Sequence, residues 1–140
     1  MSERLPDDAL GLLRDIREVH IETRPAPDVP PHRTTIWVVV DDRGRAFIRA
    51  YRGPGSRWYR EAVAAGSAAL LADGTRLEVT LEHAMDQDRL EACSAALKAK
   101  YAGRPGLPGM LTNENLPTTL ELLPVPDPGP AETPYFTPSG

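Results

Sequence analysis

What most constrains the fold is how the extended segments are joined. Thr34–Val40 (TTIWVVV) is β-branched and apolar on both faces, the pattern of a strand in the middle of a sheet. Only Asp41–Arg45, with its turn at Asp41–Gly44, separates it from the next extended run, Ala46–Arg52, too few residues for the crossover that parallel strands need. A second pair, Ala68–Ala72 and Leu77–His83, is joined through Asp73-Gly74, a strong hairpin signal. Strands connected in this way pair antiparallel, and several of them close into a small barrel.

The remaining segments follow from spacing. Asp7 and Asp8 precede Leu10, Leu12, Leu13 and Ile16, which predicts an amphipathic helix over Asp7–Arg17. Val19, Ile21 and Thr23 then alternate with His20, Glu22 and Arg24 as a half-buried strand. RPAPDVPPH is a loop, because its four prolines remove donors and fix φ. Along Arg45–Arg52, Arg45, Phe47, Arg49 and Tyr51 share one face, opposite Ala46, Ile48, Ala50 and Arg52. Ser56 is placed to cap a helix Arg57–Ala65 that Gly66 ends. Asp86 or Asp88 caps another helix to about Ala102, with Leu90, Cys93, Leu97 and Tyr101 as its stripe, and Leu116–Val125 supplies a last strand. The order is α-β-β-β-α-β-β-α-β, six strands and three helices, a mainly β (α+β) domain over residues 1–125. Residues 126–140 form a proline-rich tail that Tyr135 and Phe136 can anchor against a neighbour.

Charge narrows the function classes. A net charge of -4 argues against a nucleic-acid partner. No run approaches the roughly 18 apolar residues of a membrane span. MSERLPDDAL lacks the apolar core of a secretory signal, and the single cysteine, Cys93, allows no internal disulfide, which together predict a cytoplasmic protein. Within Pro31–Arg60, however, seven arginines less two aspartates leave +5, so the rest of the -4 chain sums to -9. Here Gly53-Pro54-Gly55 leads into the Arg57 helix, whose first amides have no helical partner. Such a loop suits a phosphate, with Arg49, Arg52 and Arg57 near it. Trp58 and Tyr59 either stack on a flat ring or pack in the core, and at least one belongs to the core. His32, before the central strand, is positioned either as an acid-base group or as a partner for loop carbonyls. His20 and His83 read as structural, Cys93 as a small core residue, and no metal-ligand spacing emerges. GRPGLPG is broken by prolines after a helix and is no dinucleotide fingerprint.

Glu18, Ile21, Thr23, Arg24, Pro31 through Val40, Gly44, Phe47, Ile48, Arg49, Arg52, Gly53, Ser56, Trp58 and Tyr59 together make a pattern that resembles the bacterial DUF2255 family, over about Glu18 to Gly103. More distantly, the chain is similar to the FMN-binding split barrels, which include pyridoxamine-phosphate oxidases and deazaflavin-dependent nitroreductases. The resemblance implies a six-stranded antiparallel split barrel with flanking helices and a homodimer whose sites lie between subunits. In the oxidases a Ser-Arg-Lys-Gly loop holds the flavin phosphate. Ser56 and Arg57 match its first two residues, and Trp58 stands where the lysine would be, as a tryptophan does in the deazaflavin group. The Gly-Arg-Lys-Ser-Gly element of that group is replaced by Pro-Pro-His-Arg.

The resemblance implies an FMN- or deazaflavin-binding protein with possible oxidoreductase activity on a small molecule. Arg49, Arg52, Ser56 and Arg57 would hold the phosphate, and Arg33, Trp58 and Tyr59 would line the ring or substrate side. The alternative is a non-catalytic barrel that binds a small anionic metabolite or a protein partner, and the lack of a recognisable acid, base or nucleophile favours it.

Overall fold

The structure, a computed structural model, describes residues 4–125. The elements are α1 (Asp7–Asp15), β1 (Val19–Thr23), β2 (His32–Ile36), β3 (Val39–Val40), β4 (Ala46–Ile48), α2 (Arg57–Ala65), β5 (Ser67–Ala72), β6 (Thr75–His83), α3 (Gln87–Lys100), α4 (Leu107–Met110) and β7 (Leu120–Pro124). The expected tail and its Tyr135 and Phe136 lie outside the described residues.

All strands join one antiparallel sheet in the order β2-β1-β5-β6-β7-β4-β3, with flanking helices. Seven strands replace the expected six, because Thr34–Val40 is not one central strand. It breaks at Trp37-Val38, and its halves become the two edges of the sheet. From Ile36 to Val39 an extended chain spans at most about 11 Å, so the edges must come together and the sheet must curl into a half-barrel. Apolarity on both faces therefore reflects closure rather than a central position. The Val38 carbonyl freed by the break accepts from Lys100 Nζ at 2.7 Å and from the Tyr101 hydroxyl at 3.3 Å.

The two faces predicted for the β4 segment part as expected. Ala46, Ile48 and Ala50 enter the barrel core with Leu10, Leu13 and Ile21, whereas Phe47 packs with Cys93, Leu97 and Tyr101 under α3. The ladder ends at Ile48, short of the expected Arg52, and the Ala50 amide instead donates to Thr118 Oγ1 at 2.9 Å. The Asp73-Gly74 turn has φ of 51° and 80°, the primed geometry that matches strand twist. In α2, Trp58 and Ala62, one turn apart, face the core, and Gly66 closes the helix in the left-handed region at φ 73°. Asp86, not Asp88, caps α3 by accepting from the Arg89 amide at 3.1 Å. The end of GRPGLPG enters the short helix α4, and a 3-10 turn at Leu116–Thr118 precedes β7.

Candidate functional site

The loop after β4 is built by hydrogen bonds to one carbonyl. Gly53, at φ 83°, accepts from the Ser56 amide at 3.1 Å and from the Ser56 hydroxyl at 2.8 Å. Ser56 thus holds the N-cap position of α2, but its side chain is turned into the loop and caps no amide. The first turn of α2 also contains no acid. Its amides and its end of the helix dipole therefore remain available to an anion.

A cavity of about 540 Å³ opens at this helix start. Its walls are apolar (Ile36, Trp37, Tyr51, Trp58 and Met110), with Thr34, Thr35 and Ser56 as hydroxyls and Arg49, Arg52 and Arg57 as cations. This volume lies within the range of sites for small molecules and cofactors. Arg49 is 1% exposed. Its Nε donates to Thr119 Oγ1 at 2.8 Å, and its Nη1 to Ser94 Oγ at 3.1 Å and the Met110 carbonyl at 2.9 Å. Nη2 has only the Leu90 carbonyl, at 3.4 Å. Among the described residues no carboxylate pairs with Arg49, and burial lowers the guanidinium pKa from its ordinary value. Burying a cation without a counterion costs several kcal/mol, so the lining of the cavity is suited to an anion.

The aromatic walls are held from behind. Trp37 stacks on Tyr101 with ring centroids 4.0 Å apart and planes within 3°. A Cβ on Gly109 would lie 2.3 Å from the Tyr51 ring, and one on Gly106 would lie 3.2 Å from Trp37. Asn115, buried, ties the two segments together by donating from Nδ2 to the Tyr51 carbonyl at 2.7 Å and the Gly109 carbonyl at 2.6 Å.

Of the residues predicted to form a site, Arg49, Arg52, Ser56, Arg57 and Trp58 line this one cavity, and Arg33 and Tyr59 do not. Arg33 is on the exposed face of β2, 3.1 Å from Glu22. The Tyr59 hydroxyl is 2.6 Å from His83 Nε2, and burial raises its pKa. His32 is also elsewhere, with Nδ1 3.0 Å from both carboxylate oxygens of Glu61. Thr23 Oγ1 donates to the same carboxylate at 2.8 Å. Burial opposes ionisation of Glu61, but these two hydrogen bonds, together with the nearby charge of Arg57, outweigh it and lower the pKa. Sequence reasoning missed Trp37, Tyr51, Thr34, Thr35, Gly106 and Gly109. Tyr51 had a signal, since it shares the face of Arg49; Trp37 had none, because it reads as core. Among the described residues no cluster of three potential metal ligands occurs, and no helix is long and apolar enough to cross a membrane.

Comparison with known proteins bears on this arrangement. No curated protein matches the sequence. A protein of unknown function from Agrobacterium tumefaciens, Atu2129, superposes with a TM-score of 0.57 at 13% identity, covering 84% of this chain and 54% of that one. This chain thus spans about half of that protein. A putative pyridoxamine 5'-phosphate oxidase from Listeria innocua gives a TM-score of 0.57 at 12% identity, covering 84% of this chain and 91% of that one. The FAD binding protein of Mycobacterium smegmatis gives 0.56 at 17% identity, covering 90% and 93%. At these identities the likeness is one of fold alone: an antiparallel sheet curled into a half-barrel with flanking helices. The family described as "Uncharacterized protein conserved in bacteria (DUF2255)" matches residues 9–122, and the chain belongs to that family.

Proposed function

We propose that the cavity binds FMN or a deazaflavin through its phosphate and flat ring, in a cytoplasmic homodimer. The observation that carries this reading is the convergence of Arg49, Arg52, Ser56, Arg57 and Trp58, chosen from sequence, on one cavity. The phosphate sits at the open start of α2, where unpaired amides and the guanidinia of Arg52 and Arg57 donate to it. Arg49 supplies fixed positive charge from within the lining. Trp37, Tyr51 and Trp58 pack against the ring and exclude water from it. Bound there, such a cofactor supplies hydride transfer, and the protein contributes binding and electrostatics. The test is tryptophan fluorescence, because Trp37 and Trp58 both line the cavity. Titration with FMN, and with the deazaflavin in parallel, gives saturable quenching at micromolar ligand, weakened at least about tenfold in the Arg52→Ala/Arg57→Ala variant. The absence of saturable quenching, or an unchanged affinity in the variant, refutes the reading.

One observation favours binding without turnover. None of the residues lining the cavity is a histidine, cysteine, aspartate, glutamate or lysine, which leaves the Tyr51 phenol as the one lining side chain of a type that serves as a general acid or base. In that case the protein holds a small anion or cofactor and does not convert it. Turnover of a reduced cofactor by the loaded protein excludes this second reading.

A further inference from the structure

The arginines fall into two sets. Of fourteen, Arg33, Arg43, Arg45, Arg76 and Arg89 hold carboxylates. The other nine have no acidic partner among the described residues, and five of them line two cavities. Arg49 and Arg52 line the first, Arg24 and Arg60 the second, and Arg57 lines both. The second cavity, about 490 Å³, lies between the proline-rich loop after β1 and the outer face of α2.

The helix explains this arrangement. With Trp58 and Ala62 directed to the core, α2 turns Arg57, Arg60, Ala64 and Ala65 outward. The two alanines leave space that long side chains would fill. Across from them, Pro25 and Pro27 give the loop a rigid backbone, and the Arg24 guanidinium donates to the Val29 carbonyl. Arg60 Nε donates to the Gly55 carbonyl at 3.2 Å, which binds it to the same loop that shapes the first cavity. One acid, Glu61, lines this space; its carboxylate is held by Thr23 and His32, and it also feels the charge of Arg57. Three guanidinia with no carboxylate at ion-pair distance among the described residues thus line a second cavity, which shares Arg57 with the first.

We infer that Arg24, Arg57 and Arg60 form a second anion subsite, which takes the distal anionic group of an extended ligand whose first phosphate lies at the start of α2. The chemistry it recognises is a pyrophosphate or another anionic extension beyond a mononucleotide phosphate. The extension to a flavin-type ligand rests on the function proposed above; the anion subsite itself does not.

Isothermal titration calorimetry with inorganic pyrophosphate tests the subsite in wild type, Arg24→Gln/Arg60→Gln and, as a charge control, Lys98→Gln, an exposed lysine of α3 that lines neither cavity. The expected result is at least about tenfold weaker binding in Arg24→Gln/Arg60→Gln and a change within about twofold in Lys98→Gln. No binding to wild type, or no loss in the double variant, overturns the subsite. The same proteins, with folding checked by circular dichroism, are then titrated with FMN and FAD by fluorescence. Wild type is expected to favour FAD by about tenfold, and the double variant to lose that preference. If pyrophosphate behaves as expected but neither flavin binds, the flavin reading falls and the subsite stands. If both flavins bind with equal affinity, the continuity of the two cavities for one ligand is refuted.

Discussion

Two helices of this domain begin in opposite ways. At the start of α3, Asp86 caps the Arg89 amide, Asp88 adds an acid to the first turn, and Arg89 reaches Asp86, Glu82 and Glu121 at 2.5, 2.7 and 2.9 Å. Burial disfavours the charge on Arg89, but its three carboxylate partners overcome this and raise its pKa. At the start of α2 no acid is present, the serine hydroxyl is directed away, and Arg52 and Arg57 have no carboxylate partner among the described residues. The same ingredients, a helix start and arginines, are neutralised within the chain in one place and left open in the other. The first arrangement stabilises the fold, and the second leaves donors for a ligand.

The comparison breaks most visibly at Arg89. Arg89→Ala leaves Glu121, on β7 and 5% exposed, without its cation, and is expected to cost about 2–4 kcal/mol in urea unfolding. Arg52→Ala/Arg57→Ala, by contrast, is expected to change stability by less than about 0.5 kcal/mol while it weakens the ligand affinity read by quenching at least about tenfold. Equal losses from the two substitutions would show that α2 is as structurally committed as α3.

The caps sharpen the same contrast on a smaller scale. Asp86→Ala removes a side chain that accepts an amide and is expected to cost about 1 kcal/mol. Ser56→Ala is expected to cost less than about half of that, because its hydroxyl donates to the Gly53 carbonyl and caps nothing. Urea midpoints of the two variants decide between this and ordinary capping at both helices.

The smallest effect is a pH dependence at the other end of α3. Lys100 Nζ donates to the Leu13 and Val38 carbonyls at 2.8 and 2.7 Å, and burial lowers its pKa from 10.5 to about 8. Between these values the unfolded chain binds the extra proton, so stability rises with pH from about 8. Burial raises the Cys93 thiol from 9.0 to about 11 and the Tyr101 phenol from 10.0 to about 12. There the folded state keeps a proton that the unfolded chain loses, and stability falls. The rise is therefore confined to about pH 8–9, and Lys100→Met removes it. Melting temperatures at pH 7, 8 and 9 for both proteins check the sign.

Much of the local structure was legible in the sequence. Alternation located β1, Asp73-Gly74 set a primed turn between β5 and β6, and Gly66 ended α2 where a left-handed residue was needed. The basic loop before α2 was legible as well, because glycines, a serine and arginines before an amphipathic run are a short-range pattern. The division of Thr34–Val40 was not. Its apolarity on both faces is common to a central strand and to a segment that closes a barrel, and only β1, β4 and the Val38 contacts from α3 distinguish them.

The sequence by itself determined the three longer helices and most of the extended runs, which turns reverse the chain, and that positive charge gathers before α2. These depend on spacing within a few residues, where hydrogen bonds and side-chain direction are local. Tertiary structure alone decided which guanidinia find carboxylates, that Arg33 and Tyr59 turn away to Glu22 and His83, and that Trp37 and Tyr51 meet at one cavity. Those outcomes require partners brought together by closure of the sheet, with Asn115 reaching Tyr51 across 64 residues of chain. No local pattern encodes a contact at that separation; it exists only once the core has packed.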